Sequence, residues 1–181
     1  MTPRVSKHRV FAWVDCATLP DSGVVAFARD DDLTFGVLHS RPHELWARRM
    51  GTQLREYDSG FRYTPRTTFE TFPFPRPTAE QRDVVAAAAR RLNELRDGWL
   101  NPPDASDEDL EQRTLTNLYN EMPAWLRDTH AALDSAVVAA YGWPNDIDDE
   151  TMVEGLLDLN LARARAEAGS GNHAPVEAGG V

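Results

Sequence analysis

Residues 78–100, TAEQRDVVAAAARRLNELRDGWL, carry the clearest helix signal of the sequence. Thr78 and Gln81 have the spacing of a capping box, in which two side chains bond the free backbone N–H groups at a helix start. Apolar residues then recur at steps of three and four, as on one helix face, at Val85, Ala88, Leu92, Leu95 and Trp99. The prolines of residues 101–103 predict the end of this helix.

The chain beyond this helix also has helical signals. Ser106 with Asp109 starts a second helix, Pro123 opens a third, and a fourth runs from about Asp149 to Ala166. The glycine- and alanine-rich end predicts a disordered tail over residues 168–181. We therefore predict an all-α C-terminal domain over residues 78–167.

The chain before residue 78 has a different pattern. Three stretches rich in β-branched and aromatic residues, 9–14, 24–28 and 33–38, predict strands, and their short connections favour an antiparallel arrangement. A short helix follows from Arg41 to Met50, with Ser40 as its cap and Gly51 at its end. An extended, proline-rich aromatic segment reaches residue 77. The predicted class is α+β, a partial antiparallel β segment followed by the helical domain.

Charge divides the chain at about the same place. The 181 residues have a net charge of −10 and an isoelectric point near 4.9, which argues against bulk electrostatic adhesion to nucleic acid. Residues 1–76 nevertheless have a net charge of +2, and residues 77–181 have −12. No apolar run is long enough to cross a bilayer and residues 1–10 lack a signal-peptide core, so we expect a cytoplasmic protein without membrane contact.

Several kinds of catalytic site are excluded or disfavoured. Asn101-Pro102-Pro103 has the first three residues of the loop with which amino-methyltransferases hold a flipped base, but Asp104 stands where the stacking aromatic is needed. No Gly-x-Gly element follows a strand, so no cofactor-binding loop is predicted. Lys7 is the only lysine and has no acidic residue before it, which disfavours a nuclease motif of the Asp/Glu-x-Lys type.

Two histidines offer a weaker possibility. His39 and His43 lie four residues apart, a spacing that can place two imidazoles on one metal ion. No third ligand is evident, and structural or surface roles are the favoured interpretation. A hydrolase built on this pair ranks below the other hypotheses, and we predict no metal site.

A basic, aromatic stretch covers residues 41–66. This stretch contains six arginines, among them Arg55, and three acidic residues, which gives it a local charge of +3. The arginine fork donates two hydrogen bonds at once, which suits phosphate and guanine recognition. A solvated helix face with a surface loop explains the pattern about as well, and the first arginines could pair with the acidic helices of the second half.

Longer strings resemble a known family. They lie at residues 29–32 (RDDD), 35–41 (FGVLHSR), 43–46 (HELW), 51–52 (GT), 62–65 (RYTP), 68–75 (TFETFPFP), 100–103 (LNPP), 113–120 (RTLTNLYN) and 140–144 (AYGWP). The first six are similar to the end of the target recognition domain of MmeI-like, type IIL restriction-modification DNA methyltransferases, and the last three to the helical domain that follows. The likeness covers residues 4–166.

The resemblance implies DNA recognition without chemistry in this chain. Residues 1–77 would be the C-terminal part of a DNA target recognition domain. The parent enzyme would be an adenine methyltransferase using S-adenosylmethionine, with Mg²⁺ if it also cleaves DNA, and its catalytic domain would act in cis or as a separate subunit. No cofactor and no catalytic activity are expected of this chain alone, which is consistent with a gene fragment, a split subunit or a mis-called start.

The expected partners are double-stranded DNA and the methyltransferase domain. Local charge and the family's use of this region predict a DNA-facing set, namely Arg41, Arg48, Arg49, Arg62, Tyr63, Arg66 and Thr67. A rival hypothesis is a non-enzymatic interaction module, in which the acidic helices dock onto a basic partner and the arginines are internal counter-charges.

Overall fold

The computed structural model describes residues 1–53 and 61–170. Five short strands are found there: β1 (Thr2–Pro3), β2 (Val5–Ser6), β3 (Val24–Val25), β4 (Thr52–Gln53) and β5 (Phe61–Arg62). The helices are α1 (Asp32–His39), α2 (Arg41–Met50), α3 (Pro65–Thr68), α4 (Ala79–Leu100), α5 (Asp107–Gln112), α6 (Leu115–Glu121), α7 (Ala124–Ala140) and α8 (Asp149–Ser170). In this part of the chain no helix is long and apolar enough to span a membrane.

The strands form two small antiparallel sheets. β1 pairs with β3, and β5 lies between β2 and β4 in the other sheet. These sheets, together with a helical second half, confirm the α+β class. The strands themselves are much shorter than the sequence predicted.

One predicted strand is wrong. Residues 33–38 lie inside helix α1, which begins where the Asp31 carboxylate accepts a hydrogen bond from the Thr34 backbone N–H at 2.7 Å. All five residues from Phe35 to His39 are buried. Because an apolar run that is buried on all sides has no polar face, its sequence does not distinguish a helix from a strand.

The predicted strand at residues 9–14 is also wrong. It makes no ladder with another strand within the described residues. Instead, the Ala12 N–H donates to the Met1 carbonyl, and the Phe11 N–H donates to the His39 ring at 3.1 Å. A side chain of α1 therefore holds this segment against the core.

The helix over residues 41–50 is confirmed as α2, and Gly51 follows it. Gly51 has φ −77°, so a left-handed conformation is not the reason for glycine. A Cβ at this position would lie 2.6 Å from the Ala47 carbonyl oxygen and 2.9 Å from that of Arg62. Glycine is needed because two backbones approach closely where α2 passes into β4.

Helix α4 is the centre of the fold and packs against both α1 and α7. Its predicted capping box is confirmed, with the Gln81 N–H donating to Thr78 Oγ1 at 3.2 Å. Its buried face is Val85, Ala89, Leu92 and Arg96. Val85 and Leu92 are buried as predicted, whereas Ala89 and Arg96 are buried in place of Ala88 and Leu95; Ala88, Leu95 and Trp99 are half-buried.

The remaining helices follow the prediction with three differences. The segment predicted to be extended contains the short helix α3, which begins at Pro65, because proline is tolerated at the first helical position. The predicted second helix divides into α5 and α6, because Arg113 ends α5 and the Thr114 hydroxyl caps α6. Helix α8 continues to Ser170, so residues 168–170 of the predicted tail are helical; residues 171–181 lie outside the described part. One hydrophobic core joins side chains from before and after residue 77, including Trp46, Phe72, Leu92 and Leu133.

Candidate nucleic-acid interface

The β2–β5–β4 sheet turns one arginine toward solvent. Adjacent residues of a strand point to opposite sides, and Phe61 is buried at 1% exposure while Arg62 is exposed. Arg62 is paired in register with Val5 on one side and Thr52 on the other. Val5 is 41% exposed and Thr52 is also exposed. We call these three residues, Val5, Thr52 and Arg62, the outer sheet face.

Further polar groups are carried by the helices next to this sheet. Arg49 lies at the end of α2, which leads into β4, while Arg66 and Thr67 lie on α3, which follows β5 and contacts α2. All three are exposed. Within residues 1–53 and 61–170, the guanidinium groups of Arg49, Arg62 and Arg66 make no hydrogen bond or ion pair. Arg55, which belongs to the basic stretch but not to the predicted DNA-facing set, lies outside the described residues.

Two other predicted residues are engaged with acidic groups of the protein. Arg41 pairs with Glu44 at 2.9 Å and also with Asp149 of α8. The bond to Asp149 raises the pKa of Arg41 and lowers that of the Asp149 carboxyl. Arg48 contacts the other oxygen of Glu44 at 2.8 Å and lies over the Phe61 ring. Pairing of a first-half arginine with an acidic helix of the second half, one of the two sequence interpretations, is thus found at Arg41.

Tyr63 has no exposed surface. Its Oη lies 3.0 Å from His43 Nε2 and donates to it, and the His43 Nδ1–H donates to the Leu38 carbonyl at 2.8 Å. Burial raises the pKa of the Tyr63 hydroxyl. Within this structure Tyr63 is a packing residue beneath the sheet, and it does not share the exposed face of Arg62.

The two histidines considered as metal ligands are buried and fully bonded. His39 Nδ1–H donates to the Phe35 carbonyl at 3.0 Å, and its Nε2 accepts from Arg96 at 2.8 Å and from the Phe11 N–H. Burial lowers the pKa of His43 to about 3 and that of His39 well below its usual range. Both rings are therefore neutral structural elements, and no group of three metal-ligating side chains occurs in the described ranges.

Asn101-Pro102-Pro103 ends a helix, as predicted. Asn101 is the last capping residue of α4, and its amide Nδ2 donates to the Asp97 side chain at 3.0 Å. These residues do not follow a strand, so they do not fit a base-holding methyltransferase loop. We assign no step involving S-adenosylmethionine to this chain.

Two arginines without a predicted role are buried. Arg96 is 3% exposed, and its guanidinium donates to His39 and to the Phe11 carbonyl, both at 2.8 Å. Arg9 is 8% exposed and donates to Thr2 Oγ1 and to the carbonyls of Pro3 and Phe61. Arg96 could have been found from helical spacing, because it lies four residues after Leu92 on the apolar face of α4. Nothing in the local sequence signals the burial of Arg9.

Comparison with known proteins supports the family resemblance. No family model matches the chain. The chain is 32% identical over 126 residues to DNA methyltransferase A of Bacillus subtilis (strain 168), which covers 68% of this chain and 13% of that relative. It also resembles the solved type IIL restriction-modification enzyme MmeI in complex with DNA, with a TM-score of 0.58 and 26% identity, over 75% of this chain and 17% of that one.

The chain therefore spans less than a fifth of the length of either relative. Its likeness to MmeI extends to both sequence and fold, which confirms the family predicted from the sequence strings. In both respects the chain belongs with the MmeI-like restriction-modification enzymes and corresponds to one part of such an enzyme.

Proposed function

We propose that this chain is the DNA-recognition portion of a site-specific adenine methyltransferase or restriction enzyme. Residues 1–77 would contact double-stranded DNA, and residues 78–167 would form the helical domain that supports them. A methyltransferase domain, in cis or as a separate subunit, would supply S-adenosylmethionine and the chemistry in the cytoplasm. The observation that carries the proposal is the likeness to MmeI, which was solved in complex with DNA.

The exposed residues refine the predicted DNA-facing set. Arg49, Arg62, Arg66 and Thr67 are exposed near one small sheet, and arginine forks suit both phosphates and the guanine edge. The major groove admits a β-ribbon, so the outer sheet face is suited to reach base edges while the flanking arginines contact phosphates. Arg41, Arg48 and Tyr63 then have a supporting role.

The proposal is tested by the pattern of DNA methylation in cells that carry the gene. Long-read sequencing would detect N6-methyladenine at one sequence motif in these cells. The double substitution Arg62→Ala and Arg66→Ala is expected to abolish this methylation or to change its motif. The matched control, Arg82→Ala with Arg91→Ala, removes two exposed arginines of α4 and is expected to leave the methylation unchanged. An unchanged motif and extent in the first variant would contradict the proposed recognition set.

A second candidate is the acidic protein-interaction module. It is favoured by the pairs Arg41–Asp149 and Arg90–Asp32, in which arginines act as internal counter-charges between the two halves. Purification of the tagged protein from its own cells, with identification of the proteins that bind to it, distinguishes the DNA-recognition proposal from the interaction module. Recovery of a methyltransferase supports the first proposal, and recovery of a basic protein without any methyltransferase supports the second.

A further inference from the structure

A polar cleft lies beside α2, and none of the exposed residues proposed to contact DNA lines it. It has a volume of about 360 Å³, which is within the range of roughly 300–1,000 Å³ for small-molecule sites. Its walls are formed by residues 8–9 and by α1, α2, α6 and α7. Its charged lining consists of Arg9, Arg41, Glu44, Arg48 and Asp134.

Positive charge in and around this cleft is not fully balanced. Arg9 is buried in its wall, and among the described residues its hydrogen-bond partners are a hydroxyl and two carbonyls, with no carboxylate. Arg96 lies behind the wall and donates to His39 and to a carbonyl. Two buried guanidinium groups thus face neutral acceptors only, an arrangement that costs free energy unless an anion approaches.

The acidic groups of the cleft are already occupied. Glu44 is held between Arg41 and Arg48, with one oxygen on each. Asp134 Oδ1 accepts a hydrogen bond from the Arg41 backbone N–H at 2.7 Å. His130 also lines the cleft, and its Nε2 lies 2.9 Å from the Tyr119 hydroxyl. Burial lowers the pKa of His130 to about 4, so this ring adds no charge at neutral pH.

Arg9 and Arg48 converge on one aromatic ring. Their guanidinium carbons lie 4.7 and 5.4 Å from the centroid of Phe61. The side chain of Arg48 is 46% exposed, which leaves part of its surface accessible to a ligand. Two guanidinium groups at one ring make a positive potential that a single anion can neutralise.

We propose that this cleft binds a phosphate group. The planar guanidinium group of arginine matches the spacing of phosphate oxygens. Because the protein has a net charge of −10, it can attract an anion through a local group of arginines but not through its overall charge. The phosphate would come either from the DNA backbone or from a free phosphate-bearing molecule. This proposal does not depend on the proposed recognition of DNA by the outer sheet face.

Isothermal titration calorimetry of the full chain with inorganic phosphate tests the proposal. Three variants are expected to weaken binding, to strengthen it and to leave it unchanged. Arg48→Gln removes a cleft cation and is expected to weaken phosphate binding about tenfold. Glu44→Gln removes the competing carboxylate and is expected to strengthen binding by a similar factor. Arg91→Gln, on the exposed face of α4, is expected to leave the affinity unchanged. Circular dichroism of each variant verifies that it is folded.

A short DNA duplex distinguishes the two phosphate sources. If the duplex displaces inorganic phosphate, and Arg48→Gln weakens this competition, the cleft accepts a backbone phosphate. If phosphate binds and the duplex does not compete, the cleft accepts a free phosphate-bearing molecule. Phosphate binding weaker than millimolar in the wild-type chain would overturn the proposal. An equal loss of affinity in Arg48→Gln and Arg91→Gln, or no gain in Glu44→Gln, would do the same.

Discussion

Replacing Tyr63 by phenylalanine separates packing from DNA contact at this position. The substitution keeps the ring and removes the hydroxyl that donates to His43 Nε2 at 3.0 Å. His43 has no exposed surface, so water cannot replace this bond, and burial holds its pKa at about 3, so the ring does not gain a proton at neutral pH. A buried acceptor without a partner costs about 1–3 kcal/mol of unfolding free energy. A loss of about 2 kcal/mol corresponds to a fall in Tm of about 4–8 °C for a chain of this size.

Urea denaturation followed by circular dichroism measures this loss, and the methylation motif of the same variant measures recognition. We expect lower stability and an unchanged motif. In the double variant His43→Leu with Tyr63→Phe, neither partner is left alone, so its loss is expected to be smaller than the sum of the two single losses. Wild-type stability together with an altered motif in Tyr63→Phe would refute the packing role and restore Tyr63 to the DNA-facing set.

Three further changes test the fold. Gly51→Ala is expected to lower the unfolding free energy by more than about 1 kcal/mol, because its Cβ would meet two backbone oxygens closer than 3.0 Å; an unchanged denaturation midpoint would contradict this. Thr78→Ala removes one half of the capping box of α4 and is expected to cost about 1 kcal/mol, whereas Thr116→Ala, inside the exposed part of α6, is expected to cost less. Burial raises the pKa of Asp134 to about 6, so the folded state takes up this proton more readily than the unfolded state, and the stability gained at Asp134 appears as the pH falls from 7 to about 4. The Asp134→Asn variant lacks this gain. The stability of the wild type relative to the variant is therefore expected to rise as the pH falls over that range, because buried histidines destabilise both proteins equally in acid. A difference in stability that does not change with pH would refute the raised pKa.

The features predicted correctly from the sequence are those determined by residues that are close together in the sequence. The helix starts predicted at Thr78 and Ser106 depend on contacts three residues apart, and a capping box is present at each. Helix α1 was predicted as a strand because its residues are buried on every side and show no period. Local pattern thus determines where helices begin, and it fails where burial is uniform.

The candidate site was predicted only as a region. The sequence identified a basic stretch, but its arginines divide by contacts that no local pattern contains. Arg41 bonds to Asp149, 108 residues away, whereas Arg62 faces solvent because of its strand register. Tyr63 was predicted to face DNA from the charge of this stretch and the family's use of it. It directly follows β5, where successive side chains point to opposite sides, and its ring is buried while Arg62 is exposed.

The register of the β2–β5–β4 sheet has a consequence for how such a protein can be diversified. Val5, Thr52 and Arg62 come from three separate places in the sequence and lie side by side on the outer sheet face. Phe61 and the core lie beneath them, so exchanges at these three positions leave the packed interior untouched. A combinatorial library limited to positions 5, 52 and 62 therefore samples new surfaces at little risk to folding.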